Sequence, residues 1–76
     1  MCYLVVKDKN QHGCYAMKTM HGKALVELKR KLNRETKGKG IQIVTISRPS
    51  AYGEYAPYRF VDSESELEAV TKELVG

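Results

Sequence analysis

Arg48 is followed within ten residues by Ser50, Tyr52, Tyr55 and Tyr58, so three of the five tyrosines crowd one short stretch. Tyrosine rings stack on bases and other flat ligands while their hydroxyls bond polar groups. The planar fork of an arginine grips phosphate or carboxylate. A second group, His21-Gly22-Lys23, opens an apolar-periodic segment. A helix N-terminus there would present free N–H groups to an anion, glycine would let a ligand approach the backbone, and Lys23 would add charge. The GxxxxGK[ST] frame of a P-loop is absent. Together, His21, Gly22, Lys23, Arg48, Ser50, Tyr52, Tyr55 and Tyr58 are the candidate ligand-binding residues, and the chemistry they suit is recognition of an anionic, nucleotide-like molecule.

Other chemistry fares less well. Cys2 would become an N-terminal nucleophile if Met1 were removed, with thiol and free amine in one residue. Hydrolases of that kind need a large sandwich fold, which 76 residues do not supply. A hairpin turn between residues 8 and 13 pairs Cys2 with a position between 16 and 23 and never with Cys14, so a disulfide or shared metal is not expected. His12 and Cys14 provide two ligands at most, and a structural zinc needs four. No catalytic residue, metal or cofactor is expected.

Two runs must carry the candidate residues. The helical stripe Ala24, Leu25, Leu28 and Leu32 predicts a helix over 22–36, capped by Thr19 or His21 and stopped by Gly38 and Gly40. The run 41–46, IQIVTI, is dense in β-branched residues, which suits a central strand ending at Arg48-Pro49. Before them, 2–7 and 14–19 read as a β-hairpin, with Tyr15, Met17 and Thr19 on one side of the second strand and Cys14, Ala16 and Lys18 on the other. After them, 58–61 reads as a short edge strand. A closing helix is expected from 62 onward, with Ser63 and Glu66 spaced as a capping box and Leu67, Val70 and Leu74 as its buried stripe.

These elements predict a single α+β domain over 1–76: a two-layer sandwich in the order ββαβ(β)α. Its mostly antiparallel sheet of three or four strands has the order 2-1-3-4, with both helices on one face. Strands 2 and 3 then run parallel, so the first helix's start and Arg48 share one end of the sheet, where α/β units commonly place ligands. The other face, with Tyr3, Val5, Tyr15, Met17 or their neighbours, would lack cover, which predicts a dimer or larger homo-oligomer.

Composition sets the outer limits. Leu, Ile, Val and Phe number 17, enough for one small core. The longest apolar run, Leu4-Val5-Val6, excludes a membrane-spanning helix, and the N-terminus lacks a signal peptide's pattern, so a cytoplasmic protein is expected. Residues 1–40 hold ten basic and three acidic side chains, a net of +7, whereas 41–76 hold three and six, a net of −3. The basic half raises nucleic-acid binding through Lys23, Arg30, Lys31 and Arg34 as an alternative. Most of the acidic cluster is accounted for by the positive end of the last helix. A protein–protein inhibitor or adaptor acting through the Tyr-rich loop is a further alternative.

The stretch Met1-Cys2-Tyr3-Leu4-Val5-Val6-Lys7, then His12-Gly13-Cys14 and His21-Gly22-Lys23, and above all TISRPSAYGEY over 45–55, resemble a family of short bacterial and phage-borne proteins of unknown function. The resemblance covers most of the chain. It implies a phage or mobile-element setting and brings no site residue with it.

Overall fold

A computed structural model describes residues 1–9, 14–48 and 58–75. Strands β1 (Cys2–Asp8) and β2 (Cys14–Thr19) come first, then helix α1 (Lys23–Glu35), strands β3 (Ile41–Ile46) and β4 (Tyr58–Val61), and helix α2 (Glu64–Val75). The fold is the expected α+β arrangement, with a mostly antiparallel sheet.

β1 pairs antiparallel with β2 on one side, Leu4 opposite Met17, and with β3 on the other, Leu4 opposite Thr45. Side chains on a strand alternate between faces. Cys2, Leu4 and Val6 therefore share a face with Met17 and Ile43, and these join Leu25, Leu28 and Leu32 of α1 and Leu67 of α2 in the main core. Leu4, Leu32 and Leu67 are fully enclosed, each contributing roughly 1.5–3 kcal/mol relative to exposure.

The strand order is β3-β1-β2-β4, not 2-1-3-4: β4 pairs parallel with β2, Ala16 opposite Phe60 and Met17 opposite Val61. β3 is consequently an edge strand, and all six of its residues are only half-buried. The physical reason lies in how the helices divide the sheet. α1 contacts β3, and α2, which follows β4 directly, contacts β2. Placing β4 outside β2 lets Val61 and Leu67 enter the same core and gives each helix its own half of the sheet.

The opposite face also departs from expectation. Val5, Cys14 and Ala16 are buried there, with Tyr3, Val44, Ile46 and Tyr58 packed against them, while Tyr15 and Met17 belong to the helix side. Rings account for part of this burial. Tyr3 on β1 and Phe60 on β4 have centroids 6.1 Å apart although β2 runs between their strands. Strands two places apart are separated by about 10 Å, so the two rings approach each other over β2, where the small Ala16 leaves room.

The helix ends differ. α1 starts at Gly22 with no side-chain cap, so neither Thr19 nor His21 serves as one. At its other end the Thr36 amide and hydroxyl both donate to the Leu32 carbonyl, at 3.0 and 2.7 Å. Gly38 then takes φ 76°, a left-handed conformation that costs other residues roughly 1–2 kcal/mol. The expected capping box on α2 is present in a shifted form: the Glu66 amide donates to Ser63 Oγ at 3.2 Å, and Glu66 Oε2 accepts from the Asp62 amide at 3.0 Å. Among the described residues no helix is long and apolar enough to cross a membrane.

Candidate functional site

β2 and β3 are both antiparallel to β1, so they run parallel to each other. Their last residues, Thr19 and Ile46, pair with Cys2 and Tyr3 at one end of the sheet. His21, Gly22 and Lys23, which follow β2, and Arg48, two residues past β3, therefore share that end, and all four are exposed. This juxtaposition matches the sequence expectation, although Arg48 leaves from the sheet's edge and not its middle. Ser50, Tyr52 and Tyr55 lie outside the described residues. Tyr58 does not join the group: it pairs with Cys14, which faces Lys7 at the other end of β1.

Strand alternation brings forward residues that sequence reasoning did not select. Tyr3, Lys18, Ile46 and Phe60 all belong to the face opposite the helices. Phe60 is 60% exposed although it belongs to an aromatic cluster. Tyr3 meets it edge-on at 69°, and Tyr58 stacks against it at 6.2 Å and 27°. Tyr3 has Ile46 as its register partner on one side and exposed Lys18 on the other. Arg48 is two positions beyond Ile46 on the outer side of Tyr3, and Lys18 stands on β2, between the strands that carry Tyr3 and Phe60. The strand positions of this face carry Lys7 and Lys18 and no carboxylate. Asp62 and Glu64 follow β4 at the far corner of the same sheet end, on the side away from Arg48. The signal for this cluster was present in the alternation of Tyr3, Tyr58 and Phe60. It becomes readable only once β4 is known to lie beside β2.

The helix α1 cations divide. Lys31 Nζ donates to Glu68 Oε1 at 2.8 Å, joining α1 to α2. The Glu68 hydrogen bond and charge raise the ammonium's pKa above its ordinary value. Lys31 is thus engaged within the fold, which leaves Lys23, Arg30 and Arg34 of the proposed nucleic-acid set. The groove between the helices, about 230 Å³ and lined by Ala24, Glu27, Leu28, Lys31, Glu64 and Glu68, contains this ion pair.

Neither cysteine is positioned as a nucleophile. Cys2 is buried under the helices and its thiol donates to the Thr19 carbonyl at 3.8 Å. Cys14 is buried on the opposite face, and neither cysteine forms a disulfide. Burial pushes the Cys14 thiol above its ordinary range, with Lys7 pulling partly the other way. Because folding favours the neutral thiol, this contribution to stability is full below the unfolded thiol's pKa and is lost as pH rises through the folded one. Alkylation of Cys14 by iodoacetamide at neutral pH is expected to be much slower than after unfolding in urea, read by mass spectrometry. Equal rates would place Cys14 at the surface. Among the described residues no group of three or more His, Cys, Asp and Glu side chains can hold a metal.

Comparison with the curated proteins finds no match. The family model of DUF6718, a family of unknown function, matches residues 1–74, and the chain belongs to that family.

Proposed function

We propose that this protein binds an anionic, nucleotide-like ligand, with the base on the Tyr3–Phe60 pair and the phosphate held from the Arg48 side. The observation that carries the reading is Phe60, 60% exposed on a sheet face yet braced by Tyr3 and Tyr58. Exposing a large ring forgoes burial that a small domain needs, and a braced ring is pre-organised for stacking. Arg48 and Lys18 flank Tyr3, and the strand positions of the face bear no opposing carboxylate. Helix α1 adds an N-terminus with neither a side-chain cap nor an acidic residue in its first turn, so His21, Gly22 and Lys23 offer a second anion-favouring point at that end. In the phage or mobile-element setting implied by the sequence resemblance, such a protein would act by sequestering a host signalling nucleotide in the cytoplasm.

The test is calorimetric titration with mono-, di- and cyclic nucleotides, alongside thermal melts. At least one nucleotide is expected to bind and raise the melting temperature. Phe60→Ala should then cost about 1–3 kcal/mol of binding, as loss of a base-stacking ring does, and Arg48→Ala about 1.5–3 kcal/mol, as loss of a charged hydrogen bond does. Failure of every nucleotide to bind would refute the reading. Binding that survives both substitutions would move the site elsewhere.

A further inference from the structure

The two helices begin in opposite ways. α2 opens on the acidic residues Glu64 and Glu66 and on the bonds between Asp62, Ser63 and Glu66. Negative charge there suits the positive end of a helix dipole. α1 has no side-chain cap and no acidic residue in its first turn, and Lys23 stands where the dipole disfavours a cation. From Lys23 to Lys39 the chain carries seven basic and two acidic residues. Helix geometry sorts them. Leu25, Leu28 and Leu32 are buried. At about 100° per residue, Lys23, Arg30 and Arg34 fall within about 40° of one another on the opposite side. All three are exposed, and among the described residues none of them is held in an ion pair. Glu27 lines the groove with α2, beside the engaged Lys31. Lys37 and Lys39, also exposed, continue the basic tract past the helix end.

We infer that the outer face of α1 docks on duplex DNA, with Lys23, Arg30 and Arg34 on its phosphates. Lys23 apart, these residues are not used in the nucleotide reading, so the two proposals stand independently. The guanidinium forks of Arg30 and Arg34, one turn apart, suit phosphate oxygens. α1 has 13 residues and is a rod about 20 Å long and about 10–12 Å across with its side chains. The major groove of B-form DNA, about 12 Å wide, admits such a rod. The major groove of duplex RNA is deep and narrow and does not. Unpaired strands are held by rings that stack on bases, and α1 has no aromatic residue. The exposed ring of Phe60 belongs to the face opposite the helices. An anionic membrane is met by a helix whose apolar face is turned outward, and the apolar face of α1 is buried in the core. Contacts to phosphates carry no sequence information, so the mode of binding is independent of base sequence.

Fluorescence anisotropy of a labelled random-sequence DNA duplex, titrated with the protein over a salt series, tests the inference. The wild type is expected to bind, with log K falling against log salt at a slope of about −3, near 0.9 for each of three phosphate contacts. Arg30→Gln and Arg34→Gln should each weaken binding severalfold and make the slope shallower by about one. Arg59→Gln removes the same charge from exposed β4 and should leave affinity and slope unchanged. Dichroism checks that the variants are folded, and the wild-type slope reads the phosphate contacts without any variant. Absence of binding at about 50 mM salt, where phosphate contacts are strong, would overturn the inference. So would equal weakening by Arg59→Gln, the mark of overall charge acting without a site. Tighter binding of the single strand, or of an RNA duplex of the same sequence, would overturn the assignment to B-form DNA.

Discussion

Leu32→Ala is expected to lower the unfolding free energy by about 3 kcal/mol, within the range of roughly 2–5 found for large-to-small changes in cores. Leu32 is fully buried in α1 and belongs to the core cluster that includes Leu4 of the central strand and Leu67 of α2. Shortening it opens a cavity where α1, β1 and α2 come together, and it keeps the Thr36 bonds to the Leu32 carbonyl, because that acceptor belongs to the backbone of Leu32. A domain of this length has a total stability of the order of 4–11 kcal/mol, so the loss is a large fraction of the whole. Urea denaturation followed by dichroism measures it, and the midpoint should fall without a change in slope. Phe60→Ala is the informative companion. Its ring is mostly in solvent, so its stability effect should be about 1 kcal/mol or less, the scale of an aromatic pair. A Leu32 variant as stable as the wild type would mean that α1 does not depend on this packing. A Phe60 loss as large as that of Leu32 would make the aromatic cluster a part of the core, and its surface would no longer mark a binding site.

Much of the local structure was readable from residue pattern alone. The β-branched run gave β3 at Ile41–Ile46, the hairpin alternation gave the two faces of β2, and the Leu25, Leu28 and Leu32 stripe gave the buried side of α1. These signals are local: a period of two or 3.6 residues is written into consecutive side chains. Strand order is not local. The aliphatic density of β3 implied a central position, yet it is an edge, because the pairing of β4 depends on where α2 must lie to bury Val61 and Leu67. That one placement changed the reading of the site. It moved Tyr58 away from Arg48 and brought Phe60 across β2 to Tyr3. The parallel relation of β2 and β3 followed from β1 lying between them, so the shared end of His21, Lys23 and Arg48 was legible before the structure. The aromatic pair beside it was not, since its two members, Tyr3 and Phe60, are far apart in the sequence and meet only through strand order.

Thr45→Val is expected to stabilise the protein by about 1 kcal/mol, the low end of the cost of an unsatisfied buried polar group. Thr45 Oγ1 is buried and, among the described residues, has no hydrogen-bond partner, whereas the hydroxyls of the buried Thr36 and Thr71 each donate to a carbonyl one helical turn back, Leu32 at 2.7 Å and Leu67 at 2.8 Å. The difference is geometric. A helix offers a threonine the carbonyl four residues earlier, but a strand's carbonyls point along the sheet, away from the side-chain faces. Thr45 stands opposite Leu4, on the helix side of β3, among apolar neighbours. Valine has nearly the same shape and keeps the β-branching that suits the strand. It removes a desolvated hydroxyl and leaves no new cavity. Thermal and urea unfolding of the variant decide the matter, and Thr36→Val is the control: removing that paired hydroxyl forfeits a bond, so its stability should fall. If Thr45→Val instead lowers stability by a kilocalorie per mole or more, the hydroxyl has a partner in solution.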